Sequence, residues 1–261
     1  MDSTRIETGP RALDEAQLAA FRRDGFVFVP GFFDASRTAE ITRWIDELTA
    51  RREEVGKHWV YHEDSVDEPK RRLIQRIEKF TEVDARFARL FDVGRLHMAV
   101  SELLGERALL FKEKINYKMA GGPGFKAHQD SQAGWGAYAG TFVTALVTID
   151  PSTLANGCLE AAAGWHTRGL VGEEWKPLEE ATLAQMDFRP FPARPGDAMF
   201  FDSFAPHRSG PNHTADQRRV LYVTYNRASD GDQRERYFAD KHRSFPPDIE
   251  REAGKTYVFR V

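Results

Sequence analysis

The spacing of apolar residues changes character once along the chain, from a period near that of a helix to short apolar runs separated by turns. Leu13, Leu18 and Phe21 lie near helical spacing, which predicts a helix over Asp14 to Arg23 that Gly25 stops. Phe26-Val27-Phe28-Val29 then reads as a short strand. After Pro30-Gly31, Asp34 or Ser36 can cap a second helix, in which Ile41, Trp44, Ile45 and Leu48 recur at i, i+3, i+4 and i+7. Residues 51–72 are dense in charge and read as solvated surface, and the His58, Trp59, Tyr61 and His62 cluster among them as a surface loop with one anchoring tryptophan. Helical residues resume from Val83 to Leu104 and end at Gly105. From Ala108 onward strands and turns take over. Thr141 to Ile149 is an apolar, β-branched run bounded by Gly140 and Pro151, as a buried strand requires, and Asn156-Gly157 is a hairpin-type turn signal. Helices first and strands afterwards predict a mainly β fold with flanking helices. The chain is expected to form one domain over residues 1–261: a helical part at about 11–105, a strand-rich core at about 106–228 and a tail at 229–261.

Composition narrows the partners. With 41% hydrophobic residues the chain can build one large core, and its formal charge of −3 gives no bulk attraction for nucleic acid or an acidic membrane surface. Cys158 is the only cysteine, which excludes an internal disulfide and suits a reducing compartment. Met1 to Pro10 is polar and lacks the apolar core of a secretion signal, and no run of about 18 apolar residues occurs. These features predict a cytoplasmic protein that acts on a small molecule.

The candidate chemistry lies in Phe125-Lys126-Ala127-His128-Gln129-Asp130 and in the later Ala205-Pro206-His207-Arg208-Ser209. In a strand, residues i and i+2 share a face, so His128 and Asp130 can reach one metal while Gln129 points away. Arg194-Pro195-Gly196-Asp197 reads as a turn, and Ala198 to Asp202 as a buried strand that delivers His207 to the same place. Two imidazoles and one carboxylate on a single face of an octahedral Fe(II) leave the opposite face open for a chelating co-substrate and O₂. Arg218 lies eleven residues beyond His207, before the strand candidate Val220 to Tyr225, and can grip a carboxylate with two parallel donors. Lys112, Lys114 and Asn116 alternate along one strand face, an arrangement suited to a solvated pocket or to an exposed face. His166 reads as hydrogen-bonded structure, and His58, His62, His97, His213 and His242 as surface residues.

Together with Lys114-Ile115-Asn116-Tyr117-Lys118, Asn156-Gly157-Cys158-Leu159 and Pro195-Gly196-Asp197, these blocks resemble, in order and spacing, the phytanoyl-CoA dioxygenase family of Fe(II)/2-oxoglutarate oxygenases, including ectoine hydroxylase-type relatives, over about Leu13 to Arg227. The resemblance implies a double-stranded β-helix, a jelly-roll or cupin-like barrel with iron inside one mouth. It implies that His128, Asp130 and His207 hold Fe(II) and form the catalytic centre. It also implies that Arg218 and Ser209 bind the distal carboxylate of 2-oxoglutarate and that Lys114 and Asn116 contact the same co-substrate. Because Asp130 is present where related halogenases carry a small residue, the implied outcome is hydroxylation with O₂, releasing succinate and CO₂.

For the substrate, Lys112, Lys126 and Arg227 lie near the motif and favour an anionic or zwitterionic small molecule, such as an amino acid or an aminoalkylphosphonate. Ser131 to Gly140 reads as a flexible, glycine-rich rim from which Trp135 contacts substrate. Three alternatives stand beside this reading: tailoring of a larger natural product or acyl thioester, which requires a wide apolar mouth; a catalytically silent binding barrel; and a cupin-like metal enzyme independent of 2-oxoglutarate, such as an isomerase.

Overall fold

Two antiparallel sheets with one apolar layer between them organise the chain. The computed structural model describes residues 11–65, 68 and 70–257, so the polar start Met1–Pro10 lies outside the described residues. The N-terminal helix α1 (Glu15–Asp24) is held by a capping box: the Gln17 N–H donates to Asp14 at 2.8 Å, and the Asp14 N–H donates to the Gln17 side chain at 2.9 Å. Strand β1 (Phe26–Val29) follows, then α2 (Ala35–Thr49), whose cap is Asp34 rather than Ser36; its carboxylate accepts from the Arg37 N–H at 2.7 Å. Ile41, Trp44, Ile45 and Leu48 of α2 are buried as their spacing predicts, each worth about 1.5–3 kcal/mol of burial.

Residues 51–72 depart from the expected surface loop. Trp59–Asp64 forms β2, which pairs with β3 (Arg72–Glu78), and His58, Trp59 and Tyr61 are all buried. The expected helix over Val83–Leu104 is two helices, α3 (Ala85–Asp92) and α4 (Arg95–Leu104). Extended Val93 and Gly94, at φ +83, separate them, a conformation that glycine adopts without a Cβ clash.

The strands β4 (Ala108–Lys118), β5 (Phe125–His128), β6 (Phe142–Thr148) and β7 (Leu159–Ala162) come next, then a one-turn helix α5 (Glu180–Leu183). The strands β8 (Phe188–Phe191), β9 (Ala198–Asp202), β10 (His207–Ser209) and β11 (Arg218–Arg227) complete the sheets, and α6 (Arg234–Ser244) lies in the tail. The larger sheet has the order β1-β9-β6-β11-β4-β3-β2, and the smaller β5-β10-β7-β8. From β6 to β11 the chain passes repeatedly from one sheet to the other. Asn156-Gly157 is therefore a turn but not a hairpin, because β6 and β7 belong to different sheets. Gly157 is needed there: its φ is +71, and a Cβ would lie 2.0 Å from the Gly210 carbonyl oxygen.

Alternation decides which layer each side chain joins. Val143, Ala145, Val147, Ile115, Leu221 and Val223 pack outward against α1 to α4. Phe26, Leu146, Met199, Phe201 and Val220 point inward, where they meet Leu159 and Ala161 of the smaller sheet. A third cluster closes one end of the sheets, with Tyr237 and Phe238 of α6 set against Trp59, Tyr61, Phe111, Trp135 and Phe142. Among the described residues no helix is long and apolar enough to cross a membrane.

Candidate active site

Strand β5 ends at His128, and Asp130 begins a short 3-10 turn, Asp130–Ala133, so the two ligand candidates do not share one continuous strand as their spacing suggested. The extended backbone of Gln129 between them preserves the alternation. Gln129 is fully buried and points away, donating to the Gly169 and Phe204 carbonyls at 2.8 and 2.7 Å and accepting from the Val171 N–H at 2.8 Å. His207 comes from β10, directly opposite His128, after the chain has crossed over from β9 in the other sheet.

The ligand atoms of His128, Asp130 and His207 lie within 4.8 Å of one another. Each imidazole donates its Nδ1–H to a backbone carbonyl, His128 to Lys126 at 2.7 Å and His207 to Ala205 at 3.0 Å. Both Nε2 atoms are thereby free as acceptors, 3.8 and 3.9 Å from Asp130 Oδ1. Thr144 donates its hydroxyl to the other carboxylate oxygen at 3.3 Å. Burial and the neighbouring His207 hold His128 well below its ordinary pKa. Burial alone would raise Asp130, but His207, Lys112 and Lys114 bring its carboxyl below the usual range. Neutral imidazoles beside an ionised carboxylate are the states in which these groups ligate a divalent ion. The donor set therefore fits a first-row metal with open positions.

His128 and Asp130 of the triad border a cavity of about 750 Å³, within the usual range for a small-molecule site. Lys112, Lys114 and Trp135 line it as the sequence suggested, whereas Lys126 and Arg227 are exposed and stand outside it. Five cationic side chains line the cavity, Arg76, Lys112, Lys114, Lys241 and Arg243, against three carboxylates, Glu78, Asp130 and Asp240. Burial and the like charges of Lys114 and Lys241 depress Lys112 well below its ordinary value, and burial lowers Lys114. Although burial pushes Glu78 up, Lys241 and Arg76 bring it down to about 2, while burial lowers Lys241 to about 8.

Trp135 is fully buried between Phe111 and Phe142, so the 131–140 segment is packed structure rather than a flexible rim. Trp175, which also lines the cavity, is the more exposed aromatic there.

Arg218, Ser209 and Asn116 do not line this cavity. Arg218 is buried between the sheets beside Leu146, Thr148, Ser152 and Met199, and its Nε has no partner. Among the described residues no carboxylate lies within ion-pair distance of Arg218. Asn116 Oδ1 is likewise buried without a partner. Ser209 accepts a hydrogen bond from Lys118 Nζ at 2.7 Å, and Lys118 sits opposite Arg218 in the β4–β11 register. A buried guanidinium that lacks an anion is costly, and a carboxylate at this position removes the cost. The unpaired guanidinium thus marks a place, apart from the cavity lining, where an acidic group would be stabilised.

Several residues were missed by the sequence reading: Arg76, Glu78, Lys118, Tyr237 and Lys241. Lys118 carried a usable signal, since it continues the 112, 114, 116 alternation. His166 also differs from expectation, because its Nδ1 is buried without a hydrogen-bond partner. Of the supposed surface histidines, His213 and His242 are exposed. His58 is buried, His97 and His62 are half-buried, and His62 is bonded to Asp248.

Comparison with known proteins gives the family. The phytanoyl-CoA dioxygenase family profile matches residues 21–220. The chain belongs to the phytanoyl-CoA dioxygenase family. Among curated relatives, a methylphosphonate hydroxylase from Gimesia maris is 37% identical, covering 89% of this chain and 88% of the relative. A 2-aminoethylphosphonate dioxygenase from an uncultured bacterium is also 37% identical, covering 93% of each. Among solved structures, EctD from S. alaskensis with 2-oxoglutarate and 5-hydroxyectoine superposes with a TM-score of 0.71 at 25% identity, covering 87% of this chain and 80% of that one. The epimerase SnoN superposes with a TM-score of 0.70 at 22% identity, over 94% and 96% of the two chains, and shares the fold. As a phytanoyl-CoA dioxygenase family member with these relatives, the chain is an oxygenase.

Proposed function

We propose that the chain is an Fe(II)/2-oxoglutarate-dependent hydroxylase of a small phosphonate, acting in a reducing cytoplasm without nucleic-acid or membrane partners. His128, Asp130 and His207 hold the iron from one face. The two alternating sheets are the double-stranded β-helix that carries such a centre. Arg218 pairs with the distal carboxylate of 2-oxoglutarate, Ser209 offers its hydroxyl to the same group, and Lys114 and Asn116 contact the co-substrate on its way to the metal. Iron with 2-oxoglutarate supplies the oxidant for C–H hydroxylation, one oxygen atom of O₂ entering succinate and the other the product alcohol.

One observation carries the substrate class: five cationic side chains against three carboxylates around a cavity that contains Asp130. One of the three, Asp130, is committed to metal. The two charges of Fe(II) are offset by those of 2-oxoglutarate, so the cationic excess remains for the substrate. The two 37% identical relatives are named for phosphonates, whose oxygens supply that charge. Tailoring of an acyl thioester or larger natural product would use the aromatic part of the lining but leaves the cationic excess without a role. The silent-barrel and co-substrate-independent readings leave the unpaired Arg218 without a purpose.

The test is product analysis by ³¹P NMR after incubation of methylphosphonate or 2-aminoethylphosphonate with the protein, Fe(II), 2-oxoglutarate and O₂. A new α-hydroxylated phosphonate resonance is expected. Turnover of an acyl thioester with both phosphonates untouched would overturn the assignment.

A further inference from the structure

Lys112 and Lys114 lie close to the iron ligands, yet among the described residues neither has a carboxylate within ion-pair distance. Lys112 is buried, with its Nζ 4.2 Å from the Trp135 ring centroid and 5.5 Å from that of Tyr237. Lys241 reaches the same place from α6, its Nζ 5.9 Å from the Tyr237 centroid. Lys241 is tethered to Glu78, which Arg76 also grips at 2.8 Å. Glu78 therefore fixes the position of Lys241 but shares its charge between two cations. Aromatic faces compensate a cation only in part, at roughly 0.5–2 kcal/mol. A buried ammonium without an anion costs several times that. The arrangement is built for a multiply charged anion.

We propose that Lys112 and Lys241, separated in sequence by about half the chain and joined over Tyr237, form the seat for the doubly charged head of the substrate. This rests on the phosphonate reading above. Lys114, two positions along β4 from Lys112, lines the same cavity. The ammonium groups, held against the Trp135 and Tyr237 rings, take the phosphonate oxygens, and the rest of the substrate occupies the cavity that His128 and Asp130 also line. Because half of the seat is carried by α6, the tail is part of substrate recognition rather than only a cover. The seat also sets selectivity: a phosphonate dianion answers both ammonium groups, and a sulfonate or carboxylate monoanion only one.

The test is calorimetric binding of 2-aminoethylphosphonate, and of taurine as its singly charged sulfonate counterpart, to the full chain kept anaerobic with Fe(II) and 2-oxoglutarate. The wild type is expected to prefer the phosphonate at least tenfold. Lys112→Gln and Lys241→Gln are each expected to weaken phosphonate binding 10- to 100-fold and taurine binding less, so that the preference collapses, with 2-oxoglutarate affinity unchanged. Lys112→Met controls for folding. It removes a buried charge that has no carboxylate, so its ligand-free melting temperature should equal or exceed that of the wild type while its phosphonate binding is lost. If the wild type binds phosphonate and the variants bind it equally well, the seat is wrong and the substrate class stands. If the wild type binds no phosphonate, the substrate class fails and the seat fails with it. A lower melting temperature in Lys112→Met would make Lys112 a structural support and overturn its role.

Discussion

At the scale of single residues, the proposed co-substrate site turns on Arg218, a guanidinium that is 4% exposed and has no carboxylate partner among the described residues. Charge-assisted hydrogen bonds of this kind are worth about 1.5–3 kcal/mol each, or a roughly 10- to 150-fold change in affinity. Arg218→Ala is expected to raise the 2-oxoglutarate dissociation constant by that factor, measured by calorimetry, and to leave iron stoichiometry intact. Unchanged affinity would remove Arg218 from the co-substrate site. The clustering of His128, Asp130 and His207 was legible in the sequence, because His128 and Asp130 sit two apart on extended backbone and an apolar strand precedes His207. Lys241 was not legible. Nothing near it in sequence ties it to Lys112, and only the docking of α6 brings the two ammonium groups over one ring.

At the scale of elements, β2 illustrates how an edge strand hides. Its pairing partner is β3 alone, and it carries Glu63 and Asp64 near its open end, the kind of charge that keeps a sheet edge from recruiting another chain. The charge runs on either side, Arg51–Glu54 and Glu68–Arg72, made the segment read as loop. Its buried half, by contrast, anchors α6: Trp59 packs edge-on against Phe238, with ring centroids 5.2 Å apart, and Tyr61 stacks on Phe245 at 5.4 Å. Trp59→Ala is expected to cost about 3–5 kcal/mol if the site does not collapse. It should also speed hydrogen exchange in residues 234–244 more than in β6 or β11. Equal acceleration everywhere would mean that α6 is held by other contacts. Val83–Leu104 divides into two helices because extended Val93 and Gly94 at positive φ interrupt the run, and the buried Phe87, Leu90 and Phe91 are out of phase with Leu96, Ala99 and Val100.

At the scale of the whole molecule, the charge that prepares the cavity also shapes stability. Glu78 is buried and its carboxyl lies near 2 in the folded chain, against about 4.5 unfolded, so the folded state holds its ionised form more strongly. That contribution is complete above about pH 4.5 and is lost as pH falls toward 2, on the order of 3 kcal/mol. Lys241 runs the other way. Its folded value near 8 lies below the unfolded value of 10.5, so it penalises folding below pH 8, and the penalty fades as pH rises toward 10.5. Chemical denaturation across pH should therefore show an acid limb that is shallower in Glu78→Gln. An identical limb in the variant would mean that other carboxylates govern acid unfolding. The layering of the fold was legible from periodicity, with helices first and strands after. The closing of one end by the tail was not, because α6 is mostly polar and exposes no long apolar stripe.

The central claim is an oxygenase whose cationic cavity selects a small phosphonate. The most direct measurement is succinate release by the purified Fe(II) protein with 2-oxoglutarate and O₂, across methylphosphonate, 2-aminoethylphosphonate, taurine, ectoine and an acyl thioester. Succinate formation stimulated by a phosphonate, and matched one to one by hydroxylated product, is the predicted result. Stimulation by ectoine or the acyl thioester alone, or no succinate under any condition, would contradict it.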